Sequence, residues 1–123
     1  MPFRGRLRQN WFMTASPSDL EVDLDTFAAA HSAGSVVLDV RNPDEYEEAH
    51  VPGAVLIPLG ELSARQAEIP DASPLYVICA VGARSLKAAQ ALTAAGYQAV
   101  SVAGGTNGWI SRGGLIVTGP DPG

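Results

Sequence analysis

The stretch Leu75-Tyr76-Val77-Ile78-Cys79-Ala80-Val81-Gly82-Ala83-Arg84-Ser85 decides the fold, because an apolar run stops there at the chain's only cysteine and a loop of small residues leads into a helix. Leu75 to Ile78 is short, continuous and rich in β-branched and aromatic residues, and Pro74 precedes it. That pattern predicts a strand buried on both faces of a parallel sheet. From Ser85 onward, Leu86, Ala89, Leu92 and Ala95 fall at helical spacing, and Gly96 stands where a helix stop is expected. Between strand and helix, Ala80-Val81-Gly82-Ala83 has room only for a tight turn.

A turn of that kind has chemical consequences. If it curls, the N–H groups of the loop and of the helix's first turn point inward at the Cys79 sulfur, and the helix dipole adds positive potential. A free thiol titrates at about 8.5 and falls to roughly 3.5–7.5 at a helix N-terminus or beside a cation, so Cys79 is expected to be largely thiolate at neutral pH. Arg84 closes the loop and supplies a charge with forked donors that suit an oxyanion. Ser85 caps the helix or backs the loop. The plain alternative is that a lone cysteine after a buried strand is an inert small hydrophobe. The small-residue loop and Arg84 weigh against it.

Outward from this stretch, strand-like and helix-like pieces alternate. Leu20-Glu21-Val22 reads as a short strand, and Asp23 as the N-cap of a helix that carries Leu24, Phe27 and Ala28 inward and ends near Gly34. Val36-Val37-Leu38 reads as a central strand. Asn42-Pro43-Asp44-Glu45 starts a short helix with an N-cap, a proline at the first position and acids in the first turn. Val55-Leu56-Ile57 is a third strand stopped by Pro58, Leu59 to Ile69 an amphipathic helix, and Ala99 to Val102 a last strand before the Gly104-Gly105 turn and a short helix through Trp109. Gly82, Gly104 and Gly105 permit tight turns.

This alternation predicts an α/β fold, an open parallel sheet of about five strands with helices on both faces. Ligand sites in such sheets lie beyond the carboxyl ends of the strands, so Asp39 to Arg41, Pro58-Leu59, Cys79 to Arg84 and Ala103 to Gly105 are expected on one rim.

The chain has 123 residues, 46% of them hydrophobic and 17% charged, with a net charge of −5. That is enough for one domain with a real core. The acids cluster between Asp19 and Asp71, which disfavours nucleic acid or an acidic membrane as partner. No stretch approaches the length of a membrane span. One cysteine excludes an internal disulfide, and a reducing cytoplasm is the expected location. Residues 1–13 carry Arg4, Arg6, Arg8 and Trp11-Phe12 and read as an N-terminal extension ahead of a domain over 14–123. His31 and His50 have no metal-site spacing.

In the order Leu38-Asp39-Val40-Arg41, Glu45-Tyr46, His50-Val51-Pro52-Gly53-Ala54, Ile57-Pro58, Cys79 to Ser85, and Gly104-Gly105 with Trp109, the chain resembles the rhodanese family of sulfurtransferases from about Leu20 to Trp109. The resemblance implies a single rhodanese-like domain in which Cys79 takes a sulfane sulfur from thiosulfate or a persulfide and passes it to cyanide or a thiol. Ala80, Val81, Gly82, Ala83, Arg84 and Ser85 would bind the substrate. Asp39 and Arg41 would support the site through an ion pair and His50 as a structural histidine, while Phe27, Tyr46 and Trp109 would be core. It implies no metal and no cofactor. The partners would be small-molecule donors and acceptors, with a sulfur-accepting protein as a further one, and the state monomer or homodimer.

Two positions depart from the family's common pattern: Ala80 stands where arginine is frequent, and Leu56 where asparagine is. Loss of a cation at the mouth predicts modest thiosulfate activity and a persulfide or polysulfide as the better donor. Other classes are a non-catalytic interaction or regulatory module, against which Cys79 and Arg84 speak while a sulfur-carrier role serving a partner enzyme stays open, and a Cdc25-like phosphatase, whose loop has one residue more than the four between Cys79 and Arg84.

Overall fold

The computed structural model describes residues 17–123, so the expected extension over residues 1–13 lies outside the described residues. Five strands form one sheet: β1 (Glu21–Val22), β2 (Val37–Asp39), β3 (Val55–Leu56), β4 (Leu75–Ile78) and β5 (Ala99–Val102). Their order is β1-β5-β4-β2-β3, and every pairing is parallel. β4 lies in the middle, with Val77 beside Leu38 on one side and Ser101 on the other. All four of its residues are buried. A continuous apolar run is what a strand covered on both faces requires.

Alternate β4 side chains divide between two cores. Leu75 and Val77 join Leu38, Ala88, Ala89 and Leu92 on one face. Tyr76 and Ile78 join Phe27, Tyr46, Val102 and Trp109 on the other. The first face is covered by α3 (Ala83–Ala94), the second by α1 (Leu24–Ser32), α2 (Pro43–Glu48) and α4 (Gly105–Ser111). The sheet is thus parallel, five-stranded and covered on both faces, as the alternation predicts.

The helix starts follow their capping residues. The Asp23 carboxylate accepts the Thr26 N–H at 2.8 Å ahead of α1, and the Glu45 carboxylate reaches back to the Asn42 N–H at 3.0 Å at the start of α2. α3 runs to Ala94, with Gly96 at φ +100° just beyond it. Leu20 falls in a 3-10 turn over Pro17–Leu20 rather than in β1.

One element differs in kind. Leu59 to Ile69 is not a helix but two 3-10 turns, Leu59–Glu61 and Gln66–Glu68. Gly60 and Ser63 weaken helix propagation near its start, and Pro58 and Pro70 confine the segment. Leu62 and Ile69 still reach the core, while Arg65 binds Glu61 at 2.9 Å and Glu68 at 2.7 Å on the outside. Apolar spacing was satisfied without a continuous helix.

After α4 the chain turns back over α2. His50 and Val117 pair through main-chain bonds of 2.9 and 2.8 Å, Gly119 N–H donates to Glu47 O at 2.8 Å, and Gly53 N–H donates to Pro122 O at 2.9 Å. Among the described residues no helix is long and apolar enough to cross a membrane.

Candidate active site

Cys79 lies directly after β4, with its side chain 1% exposed and its thiol free. The loop after it curls because its two kinds of main-chain group have separate partners. The carbonyls of Cys79 and Ala80 accept the N–H groups of Thr106 and Asn107 at 2.8 and 3.0 Å, in the first turn of α4. With the carbonyls drawn to α4, the Gly82 N–H is left to donate to Cys79 Sγ, at 3.1 Å. Gly82 has φ +113°, a conformation that a residue with a side chain adopts only under strain.

Gly105 is needed for another reason. A Cβ there would lie 2.4 Å from Cys79 O and 2.5 Å from Ala80 O, so the close approach of α4 to the loop admits no side chain. The loops after β4 and β5 meet here: an added Cβ on Gly82 would stand 3.5 Å from Gly104 N.

Burial pushes the Cys79 thiol up, but donors outweigh it. The Ser85 hydroxyl and the N–H groups of Ser85, Gly82 and Val81 bring the thiol below its ordinary range. The Gly82 N–H makes the direct bond to sulfur. In this arrangement the Ser85 hydroxyl donates to Gly82 O at 3.2 Å and lies 2.7 Å from Ser101 Oγ, so it braces the loop from beneath. It does not cap α3, which begins two residues earlier. Val81 is 63% exposed at the mouth, with Ala80 beside it half-buried.

Arg84 is expected to offer an anion its forked donors. Instead Nη1 and Nη2 bind the two Glu45 carboxylate oxygens at 2.8 and 2.9 Å. This bidentate pair, helped by the Asn42 N–H, holds the Glu45 carboxyl down at about 2 against partial burial, and Glu45 raises Arg84 in turn. Glu45 is the site residue that sequence reasoning missed. It was visible as an acid in the first turn of a helix, where capping already accounts for it.

Asp39 and Arg41 stand at the end of β2, fully and nearly fully buried. Arg41 Nη2 binds Asp39 Oδ2 at 2.8 Å and its Nε binds Oδ1 at 3.0 Å. The same guanidinium donates to Ala49 O at 2.8 Å and Glu45 O at 3.3 Å, so the pair fixes α2 and hence Glu45. His50 is stacked on Tyr46, with ring centroids 3.7 Å apart, and its nitrogens face Tyr46 O and Pro122 O at 2.8 and 3.3 Å. Among the described residues, none of its bonds reaches the Cys79 loop, and the loop to which it belongs is held by the C-terminal tail. No group of three or more His, Cys, Asp or Glu side chains among them could hold a metal ion.

The arrangement therefore favours the thiolate of a buried-edge sulfur through main-chain donors and the Ser85 hydroxyl, beside a mouth that is partly apolar and partly a closed ion pair. Comparison with known proteins gives a consistent result. The profile of the Rhodanese-like domain family matches residues 23–112. The chain is 42% identical over 77 residues to YrkF of Bacillus subtilis, a proposed sulfur carrier protein, covering 62% of this chain and 42% of that protein. It is 40% identical over 88 residues to the thiosulfate sulfurtransferase PspE of Escherichia coli, covering 70% and 80%. Of YrkF and of YqhL, another Bacillus subtilis relative, the chain spans 42% and 59% of the length. Among solved structures, a rhodanese-related protein of Thermoplasma volcanium superposes with a TM-score of 0.73 at 31% identity, over 79% of this chain and 96% of that one.

Proposed function

Since the chain belongs to the rhodanese-like domain family, we propose that it moves sulfane sulfur through a persulfide on Cys79. The observation that carries this reading is the Cys79 sulfur held under the loop by the Gly82 N–H at 3.1 Å. With thiosulfate as donor, the thiolate forms a bond to the outer sulfur, the bond from that sulfur to the sulfonate breaks, and sulfite leaves with the electron pair. The product is an anionic persulfide, and the N–H groups of Val81, Gly82 and Ser85 that favour the Cys79 thiolate are the nearest donors to receive its charge. Cyanide or a thiolate then bonds to the outer sulfur and returns Cys79 as thiolate. Each half-reaction balances without oxidant or metal, and the sequence is ping-pong.

Thiosulfate activity should be modest, because Ala80 brings no cation to the mouth. A sulfur-carrier role is the second reading. Val81, exposed in the loop beside the thiol, offers an apolar contact to an acceptor protein, and YrkF is itself a proposed carrier. Intact mass spectrometry after incubation with thiosulfate or cysteine persulfide tests the proposal. A gain of one sulfur atom, absent in Cys79→Ala, is expected; no gain from either donor rejects it. Hydrolysis of an aryl phosphate, lost in Cys79→Ser, would favour a phosphatase instead.

A further inference from the structure

Arg84 is the only cation between residues 79 and 85, and in the structure it is already occupied. Both terminal nitrogens lie on Glu45, at 2.8 and 2.9 Å, across 39 residues of chain. Glu45 is in turn held from behind. One of its carboxylate oxygens accepts the Asn42 N–H at 3.0 Å, and its helix is tied down by Arg41, which the buried Asp39 fixes. The mouth of the Cys79 loop therefore presents a closed pair, not a free guanidinium. A sulfonate entering there must displace a carboxylate that is already aligned. An organic persulfide brings its outer sulfur without a sulfonate and needs no such exchange.

We propose that Glu45 is a positioning residue that sets donor charge: by holding Arg84 it selects against sulfonate-bearing donors and for small organic persulfides. This rests on the Cys79 persulfide reading above. In the favoured step the Cys79 thiolate bonds to the outer sulfur of the persulfide, the sulfur–sulfur bond of the donor breaks, and the departing thiolate takes the proton of the outer sulfur.

Glu45→Gln tests the assignment, because glutamine keeps an acceptor for the Asn42 N–H but carries no charge. Sulfur loading onto Cys79 is followed by intact mass as a function of donor concentration, with thiosulfate and with cysteine persulfide. The half-saturating thiosulfate concentration should fall about fivefold, the order expected from freeing one partly exposed guanidinium for an anion. The maximal loading rate, and loading from cysteine persulfide, should each stay within about twofold, since no group at the sulfur has changed. An unchanged or raised half-saturation for thiosulfate, or equal shifts for both donors, overturns the proposal.

A second measurement needs no substitution. In the unmutated protein, raising salt to about 0.5 M should change the half-saturating thiosulfate concentration less than about twofold, because a closed pair leaves little field to screen. A several-fold rise would mean that Arg84 already meets the donor, which also overturns it. If neither donor loads the unmutated protein, the persulfide reading itself is what fails.

Discussion

The two ends of the candidate site are built by opposite means. The thiol end is local: β4, the turn and the start of α3 follow one another in sequence, and its donors are main-chain N–H groups joined by the Ser85 hydroxyl. The carboxylate end is assembled from β2, α2 and α3 by side chains, through Asp39, Arg41, Glu45 and Arg84. A main-chain cradle tolerates many side chains but depends on where the chain can approach closely. A side-chain network has the reverse weakness, because each member leaves a charged partner behind when it is lost.

The largest effect is therefore expected at the carboxylate end. Asp39→Ala strands the buried Arg41 guanidinium and should cost about 3–5 kcal/mol in urea denaturation. A cost below about 1 kcal/mol, the range of exposed pairs, would break the comparison, since Arg41 would then have found solvent or another partner. Next comes the thiol end: Gly105→Ala puts a Cβ 2.4 Å from Cys79 O, and should cost about 1–3 kcal/mol while slowing sulfur loading. Unchanged loading in that variant would show that α4 does not shape the loop.

Ser85→Ala sharpens the contrast. It removes a side chain that braces the main-chain cradle, at a cost of about 1 kcal/mol in denaturant, and should move the thiol upward because a donor to it is lost. The smallest effect concerns Glu45. Its carboxyl is lowered to about 2, so its contribution is present above the ordinary carboxylate range and is lost as pH falls through about 2. With the pair partly exposed, the amount should stay below about 1 kcal/mol, read as the difference in acid sensitivity between the native protein and Glu45→Gln.

The same contrast decides what the sequence could show. The apolar run Leu75 to Ile78, the lone cysteine and the helical spacing after it lie within a few turns of chain, and local periodicity reports such features directly. The parallel sheet followed from the alternation of strands and helices. By contrast, Leu59 to Ile69 satisfies its burial with two 3-10 turns as well as a helix would, so apolar spacing could not distinguish them. The grip of Glu45 on Arg84 joins residues 39 apart and leaves no periodic trace. The tail that pairs Val117 with His50 is equally silent, since one antiparallel bridge has no pattern to recognise.

The central claim is that the loop's donors, the Ser85 hydroxyl and the N–H groups of Ser85, Gly82 and Val81, shift Cys79 toward the thiolate despite its burial. Because Cys79 is the only cysteine, the pH dependence of alkylation by iodoacetamide reports on it alone, in the folded protein and in urea. The account predicts a folded midpoint below that of a free thiol, about 8.5, with the unfolded chain returning to it. A folded midpoint at or above the unfolded one would contradict it, since burial would then outweigh the loop.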